Sequence, residues 1–341
     1  MLPRNKMPYR MHRTITGLLT LALATSVTAA CSIKKMAING LADTLAASGD
    51  SFSSDEDPDL IRDAVPFSLK TIESLLVEVP EHKGLLLTAC SGFTQYAYAF
   101  VQTDAELIEP KDYEASVAGR ERALKMYQRA LGYCLRRVEL THKGFRAAVE
   151  KDPAGTMKTF PKEEVPVLYW TGATWGALVS AGSEKPELLN QLPIVRAIMD
   201  RALELDEAYE LGSIHDVLIS LDSLPEGMGG SVKDARLHYA RSVELSKGES
   251  ASPHVSLASG ISVAEQNRKE FEELLAKALA IDVNKVPRLR LSNVIYQRKA
   301  RALLARADDL FTPDKSPEPP TAMVGLTGLD SLAYRRLGVT R

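Results

Sequence analysis

One apolar stretch, residues 83–106 (KGLLLTACSGFTQYAYAFVQTDAE), constrains the fold of this chain most strongly. Apolar side chains lie almost all round its helical projection, so the pattern predicts a buried helix with neighbours on several sides. Small residues occupy positions 89–92, where another helix can approach closely. The stretch is long enough to cross a bilayer, but Lys83, Gln95 and Gln102 make it less apolar than a membrane span. We therefore predict the central helix of a soluble, all-helical domain.

The rest of the chain also has helical periodicity, and alternating strand-like runs are scarce. Its composition, 45% hydrophobic and 25% charged, is ordinary for a globular protein. Asp57 and Pro58 suit an N-cap and a first helical position, and Pro66 is expected to kink or restart the helix that follows. Further helices are predicted at residues 113–141, 163–181, 188–206, 211–221, 231–246, 263–281 and 289–311, with an irregular connection at 144–162.

Several of these segments share one spacing. A small or apolar residue is followed four positions later by a bulky one and three later by Ala-Leu, as in Ala123, Tyr127 and Ala130. This spacing is typical of the second helix of tetratricopeptide (TPR) repeats, although the copies are unevenly spaced and the full consensus is missing. The predicted fold is all-α: a TPR-like helical-hairpin array, or α-α superhelix, built around the central buried helix. Such an array has a concave surface for a peptide, protein or small ligand.

The first thirty residues have the pattern of a targeting signal. Basic residues precede an apolar run, and small residues at 28–30 lead into Cys31. This is the pattern of a bacterial lipoprotein signal, in which the cysteine becomes the lipidated N-terminus, although Thr28 replaces the usual branched apolar residue. An ordinary secretory leader or an uncleaved anchor is the alternative. Ser32 favours the outer membrane, because an aspartate at this position commonly retains lipoproteins at the inner membrane.

The predicted division of the chain is a lipoprotein signal peptide at 1–30, a lipidated cysteine and tether at 31–56, a helical domain at 57–311 and a loosely ordered tail at 312–341. The formal charge is −2, and removal of the four basic residues of the leader lowers it to about −6. This mild acidity excludes an ordinary nucleic-acid binder, which needs a basic face.

Beyond Cys31, the chain contains only Cys90 and Cys134, both within apolar helical patterns. Export would allow a disulfide between them, but two buried thiols at small-residue positions are the favoured interpretation. No spacing of cysteine and histidine suits a metal, so neither a metal site nor a cofactor is predicted.

Other polar features have structural interpretations. The five histidines outside the leader are dispersed and are expected on surfaces or at helix ends. The glycine-rich residues 227–230 predict a tight turn with Ser231 capping the next helix, and anion binding is the alternative. The final helix is basic, and we expect neighbouring acids to balance it. No motif pairs a nucleophile with a base, so no catalytic residue is predicted.

Aromatic residues from two predicted helices could face one another, and the segment at 163–181 also carries Gly172 and Gly176, which permit close helix contact. Most of these aromatic side chains are expected in the core. A minority could line a ligand cavity, because such cavities are mostly apolar with a few polar groups. The candidate ligand-binding residues are Gln95, Tyr98, Tyr169, Trp170 and Trp175.

Four blocks of sequence, GLLLTACSGFTQYAYAFV, LYWTGATWGALVS, LPEGMGGSVKDARLHYARSVELSKG and RLSNVIYQRKARALLARADDLF, resemble the TatT family, the T components of tripartite ATP-independent periplasmic (TRAP) transporters. The resemblance runs from about residue 31 to 311. It implies a periplasmic, lipid-anchored, all-α protein that forms homo-oligomers, with a trimer suggested, and associates with the solute-binding (P) component. A pore or cavity for small, hydrophobic ligands is also implied.

The leading hypothesis is therefore a non-enzymatic lipoprotein that scaffolds a periplasmic solute-binding protein and helps to deliver an organic acid or apolar ligand. The alternative is a TPR-type assembly lipoprotein of the outer membrane or cell envelope. A third hypothesis, an exported enzyme that uses dispersed residues such as Asp216, His238 or Glu244, is disfavoured because nothing pairs a nucleophile with a base.

Overall fold

The computed structural model describes residue 36 and residues 38–45 and 52–312, and within them every regular element is helical. The prediction of an all-α fold is confirmed. Cys31 and the predicted signal peptide and tail lie outside the described residues, apart from Thr312. The α-helices are α1 Pro58–Glu78, α2 Lys83–Tyr96, α3 Thr103–Ile108, α4 Tyr113–Glu139, α5 Phe145–Lys151, α6 Pro153–Met157, α7 Val165–Ala181, α8 Pro186–Leu189, α9 Leu192–Leu205, α10 Ser213–Asp222, α11 Val232–Leu245, α12 Ser252–Leu257, α13 Arg268–Ala280, α14 Arg290–Ala305 and α15 Ala307–Leu310.

Part of the predicted tether packs against the domain. Residues 38–45 are helical, and Ala42 is completely buried among the core residues. The Asp43 carboxylate lies 3.2 Å from Nε2 of His82, the residue that caps α2. This short helix has an apolar side, with Ile38 and Leu45, that the core covers. The role of residues 31–56 as a tether stays a prediction.

Helix α1 begins as predicted, since the Asp57 side chain accepts hydrogen bonds from the backbone N–H groups of Asp59 and Leu60. It does not restart at Pro66, which lies inside one continuous helix. An internal proline costs about 3 kcal/mol. Burial of apolar side chains on both sides of it, Ile61 before and Leu69 after, offsets that cost.

The central helix packs against other helices on several of its faces. Helix α2 continues through a π-helical segment, Ala97–Gln102, into α3, and it packs against α1, α4 and α7. A Cβ atom on Gly92 would lie 2.7 Å from Leu69 Cδ2. The small residues in the middle of this helix therefore permit the close approach of α1, as the sequence indicates.

A disulfide joins Cys90 of α2 to Cys134 of α4, with a Cα–Cα distance of 5.0 Å. Both residues are buried, and the favoured interpretation of two free thiols is wrong. The sequence positions are 44 residues apart, so periodicity alone did not show that the two helices cross at these residues. Next to the bridge, the Thr94 and Thr174 hydroxyls are 2.6 Å apart, which ties α2 to α7.

Glycines bring α7 and α9 together. A Cβ atom on Gly172 would lie 3.0 Å from Ile198 Cγ2, and one on Gly176 would lie 3.3 Å from Val195 Cγ1. Both glycines therefore serve as predicted. Successive helices pack in pairs along the chain, such as α7 with α9, α10 with α11 and α13 with α14. This pairing agrees with a hairpin array, and the TPR-like superhelix stays a prediction.

Two segments differ from the predicted helices. The connection at 144–162 contains α5 and α6 rather than irregular chain. The helix predicted at 263–281 begins at Arg268, where the Asn267 side chain accepts a hydrogen bond from the Glu270 N–H. Residues just before it belong to an earlier helix, α12, which continues into the π-helical segment Ala258–Ser262. Because apolar residues occur on both sides of this break, the sequence pattern predicted one helix where the structure has parts of two.

The buried apolar residues form two clusters that meet at α10. Leu218 belongs to the larger cluster, built mainly by α1 to α10 with Ile295 of α14, and Ile219 belongs to the smaller one, built by α10 to α15. The last long helix, α14, packs back against α1 and α3. Ion pairs from Arg298 to Asp104 and from Lys299 to Glu106 fix this contact, so neighbouring acids do balance part of the basic helix. The helices therefore enclose a space whose apolar lining belongs almost entirely to the larger cluster.

We expect reduction of the Cys90–Cys134 bridge to lower the free energy of unfolding by about 2–4 kcal/mol, because the bridge closes a long loop in the unfolded chain. Urea unfolding with and without dithiothreitol measures this difference. In the double variant Cys90→Ala/Cys134→Ala, dithiothreitol should change nothing. Equal midpoints for the reduced and oxidised wild-type protein would contradict the prediction.

Candidate functional site

The space between the helices is a cavity of about 750 Å³. Its walls come from α1, from α2 with its π-helical segment, and from α7, α10, α12 and α14, so residues distant in sequence meet there. Apolar side chains such as Ile61, Val65 and Ala177 make up most of the lining, with a few polar groups among them. This composition is typical of a site for a small organic molecule.

The π-helical segment shapes one wall of the cavity. The Tyr98 carbonyl accepts hydrogen bonds from both the backbone N–H and the hydroxyl of Thr103, five positions later. The wider turn inserts one extra residue, which shifts the register of the helix between Tyr98 and α3. Both Tyr98 and Gln102 border the cavity. Such π turns occur frequently at functional sites.

Aromatic rings from four parts of the chain gather at this wall. The ring of Tyr98 lies 5.9 Å from that of Tyr296 on α14. On α7, Tyr169 contacts Trp170 at 5.0 Å, and it also contacts Tyr209 at 5.2 Å. Burial raises the pKa of all four tyrosyl hydroxyls, so they stay neutral hydrogen-bonding groups at physiological pH.

Asp216 of α10 places a carboxyl group in the cavity wall. The Ser242 hydroxyl donates a hydrogen bond to its Oδ1, and Ser252 is a second hydrogen-bond partner. Protein encloses this side chain, although part of its surface remains open to the cavity. Burial raises the pKa of Asp216 to about 6, because the two hydrogen bonds only partly replace the lost water.

The cationic groups near the cavity have acidic partners. Lys299 Nζ lies 2.9 Å from Glu106 Oε2 and 5.5 Å from the centre of the Tyr98 ring. At the cavity opening, Arg288 lies 3.7 Å from Glu210. Within the described part of the chain, no lysine or arginine forms an ion pair with Asp216.

Four of the five residues that the sequence indicated as ligand-binding candidates border the cavity: Gln95, Tyr98, Tyr169 and Trp170. The fifth, Trp175, does not, since its ring is 4% exposed and its Nε1–H donates a hydrogen bond to Gln191 Oε1 at 2.5 Å. Trp175 instead packs between α7 and α9. Ligand binding by the other four stays a prediction.

Sequence reasoning missed Asp216 and Tyr296 as members of this site. Asp216 looked like an isolated acid, and Tyr296 looked like one position of an apolar stripe. Both lie in helical patterns whose partners are distant in sequence. Only the packing of α10 and α14 around one space brings them together.

Two histidines are also placed differently from the prediction of surface or helix-end positions. His215 and His254 are buried, with 2% and 5% exposure. The Nδ1 atoms of His215 and His238 are 2.7 Å apart, and burial lowers the pKa of both imidazoles. A single proton between the two nitrogens therefore joins α10 to α11. Within the described residues, no group of three metal-ligating side chains is present.

A family model for the T component of TRAP transporters matches residues 54–311, which is most of the chain and includes helices α1 to α15. The chain belongs to the TRAP transporter T-component family. The resemblance found in the sequence is thereby confirmed, and this is a family of transporter components rather than of enzymes.

One relative, a protein of Treponema pallidum (strain Nichols) named only "Uncharacterized protein", is 29% identical over 305 residues. The alignment covers 83% of this chain and 94% of the relative, so the two share nearly their whole length. No helix among the described residues of this T component is both long enough and apolar enough to cross a membrane.

The buried carboxylate should destabilise the T component at neutral pH. The pKa of Asp216 rises from 3.8 to about 6 on folding, so the ionised form favours the unfolded chain. We expect Asp216→Asn to raise the free energy of unfolding by about 1–3 kcal/mol at pH 7.5. This advantage should shrink as the pH falls from about 6 towards 4, because the wild-type side chain becomes protonated in the folded state.

Urea unfolding of the wild-type protein and of Asp216→Asn at several pH values isolates this effect, because the two proteins have every other acidic residue in common. Glu210→Gln is a matched control, since the Glu210 side chain is 55% exposed at the cavity opening. A stability difference that does not vary with pH would contradict the assignment.

We expect Trp175→Ala to lower the free energy of unfolding by about 3–5 kcal/mol, because it removes a buried aromatic side chain. The same substitution at Trp170 should cost less, since Trp170 is half-buried beside the cavity. Thermal melting of both variants tests this. Unchanged melting of Trp175→Ala together with lost ligand or partner binding would show that Trp175 is functional rather than structural.

Proposed function

We propose that this protein is a periplasmic lipoprotein scaffold of a TRAP transporter, which binds the solute-binding (P) component and holds a small organic or hydrophobic ligand in its cavity. The observation that carries this proposal is the family match over residues 54–311, because the matched region is the part of the chain that builds the cavity. We propose that it binds and positions its ligand without a chemical step.

The cavity supports the ligand part of the proposal. It is mostly apolar, and four aromatic or amide side chains that the sequence indicated, among them Tyr98 and Trp170, border it. An apolar molecule that enters would exchange water for this lining, and burial of apolar surface is favourable by about 25 cal/mol per Å². The polar groups at one wall would orient such a molecule.

The position at the membrane is also proposed. Lipidation at Cys31 would anchor the protein, with the inner leaflet of the outer membrane favoured by Ser32. Two acyl chains or more give stable anchoring, so no spanning helix would be needed. A homo-oligomer, with a trimer suggested by the family resemblance, would present several cavities to the solute-binding proteins.

Native mass spectrometry of the complete protein in mild detergent tests this proposal. We expect a homo-oligomer that gains one TRAP solute-binding protein of the same organism per subunit. A solute-binding protein from an unrelated class of transporter is the matched control and should not bind. A monomer that ignores the TRAP solute-binding protein would favour the alternative, a TPR-type assembly lipoprotein of the cell envelope.

A further inference from the structure

We propose that the cavity selects an amphipathic amine, whose protonated amino group pairs with the Asp216 carboxylate while its apolar part lies along α1 and α7. This inference rests on the proposed function, in which the cavity holds a small ligand, and it names the chemical class of that ligand. It replaces the organic acid that the sequence left open as one possibility.

The first argument for an amine is the carboxylate of Asp216 in the cavity wall. Asp216 is enclosed by protein, and within the described part of the chain its carboxylate is hydrogen-bonded by Ser242 and Ser252. An ionised group in such a place is costly unless an opposite charge meets it. No lysine or arginine of the described residues supplies that opposite charge. A cationic group of the ligand could therefore pair with Asp216. A carboxylate ligand would meet a like charge instead.

The second argument for an amine is the group of tyrosines near Asp216. Tyr98, Tyr169 and Tyr296 lie close enough to Asp216 for its charge to raise the pKa of their hydroxyls. The face of an aromatic ring attracts a cation, and the attraction is strongest when the cation is removed from water. A carboxylate with three tyrosines near it therefore suits an ammonium group better than a neutral hydroxyl.

The third argument concerns the apolar part of the ligand, which the rest of the cavity lining suits. Away from Asp216, the wall is formed by Ile61, Val65 and Leu69 of α1 and by Ala173 and Ala177 of α7. Hydrocarbon is the chemistry that these side chains accept, and the polar side chains that α1 and α7 add, Ser68 and Ser180, carry no charge. The cavity of about 750 Å³ thus has a carboxylate in one wall and mostly apolar side chains along α1 and α7.

The groups that face Asp216 give the proposal a pH dependence. Tyr169 faces it from α7, Tyr296 from α14 and Tyr98 from the π-helical segment, and burial keeps all three neutral. Helices α11 and α12 contribute the serine hydroxyls already named.

The other titratable groups on the helices around Asp216 have other partners. On α11, His238 Nε2 lies 3.5 Å from Asp222 Oδ2, and Arg196 of α9 also contacts Asp222. His254 of α12 lies 3.0 Å from the Tyr239 hydroxyl, and burial lowers its pKa to about 4. His215 of α10 pairs with His238, and burial lowers the pKa of both imidazoles. Asp216 borders the cavity, and its pKa of about 6 lies between pH 7.5 and 5.

Three probes with the same six-carbon chain test the proposal: hexylamine, 1-hexanol and hexanoate. We would measure their binding by titration calorimetry to the complete protein in lipid nanodiscs, with empty nanodiscs as the blank. At pH 7.5, hexylamine should bind at least about tenfold more tightly than the other two. Its affinity should fall about tenfold at pH 5, because most Asp216 side chains are then protonated while the amine stays charged.

Asp216→Asn should abolish the preference for hexylamine and leave the binding of 1-hexanol unchanged. The asparagine Oδ1 can still accept hydrogen bonds from the two serines, so the fold should be retained. Glu210→Gln removes a carboxylate at the cavity opening and should keep the preference.

Equal binding of all three probes, or tighter binding of hexanoate, would overturn the inference and leave the ligand cavity standing. A pH-independent affinity of the wild-type protein for hexylamine would also overturn it, even if the variant did not fold. If none of the probes bound, the ligand part of the proposed function would fail as well.

Discussion

The structure depends on the packing of the central helix against three neighbouring helices. Helix α2 contacts α1, α4 and α7, and the contact with α7 includes the hydroxyls of Thr94 and Thr174. Gly92 admits Leu69 of α1, and Cys90 is bonded to Cys134 of α4. Close packing of this kind tolerates few substitutions, because the folded state is destabilised both by overfilling the core and by leaving a cavity in it. The helices around α2 are therefore held in one arrangement.

This fixed arrangement explains how a cavity can persist beside a tightly packed core. Helices α1, α2 and α7 are joined on one side, while α14 returns to α1 and α3 and closes the other side. Between them, α10 contributes Leu218 to one apolar cluster and Ile219 to the other. Asp216 lies one turn earlier on the same helix and borders the cavity. The apolar residues of the cavity wall belong almost entirely to the larger cluster, so the cavity is a space within that part of the fold, which α14 helps to close.

An enclosed carboxylate in this space costs stability, and proteins tend to keep such groups where function needs them. The other charges near the cavity are balanced within the protein, as Lys299 is by Glu106 and Arg288 by Glu210. Asp216 differs because its hydrogen-bond partners among the described residues are the neutral hydroxyls of Ser242 and Ser252. The paired charges support the fold, whereas Asp216 is the group that we propose to bind a ligand. The family assignment gives this proposal a context, since the T component belongs to a transport system.

The sequence by itself determined the all-α fold, the central helix, the cap at Asp57 and the close approach at Gly172, because these follow from local periodicity and residue size. The four conspicuous blocks also determined the family. Only the tertiary structure decided that Cys90 meets Cys134, that Pro66 is tolerated and that Trp175 belongs to the core rather than to the cavity. It also brought Asp216 beside Tyr296. The physical reason is that a helical pattern shows which face of a helix is buried, whereas the partner of that face is fixed by packing between segments far apart in sequence.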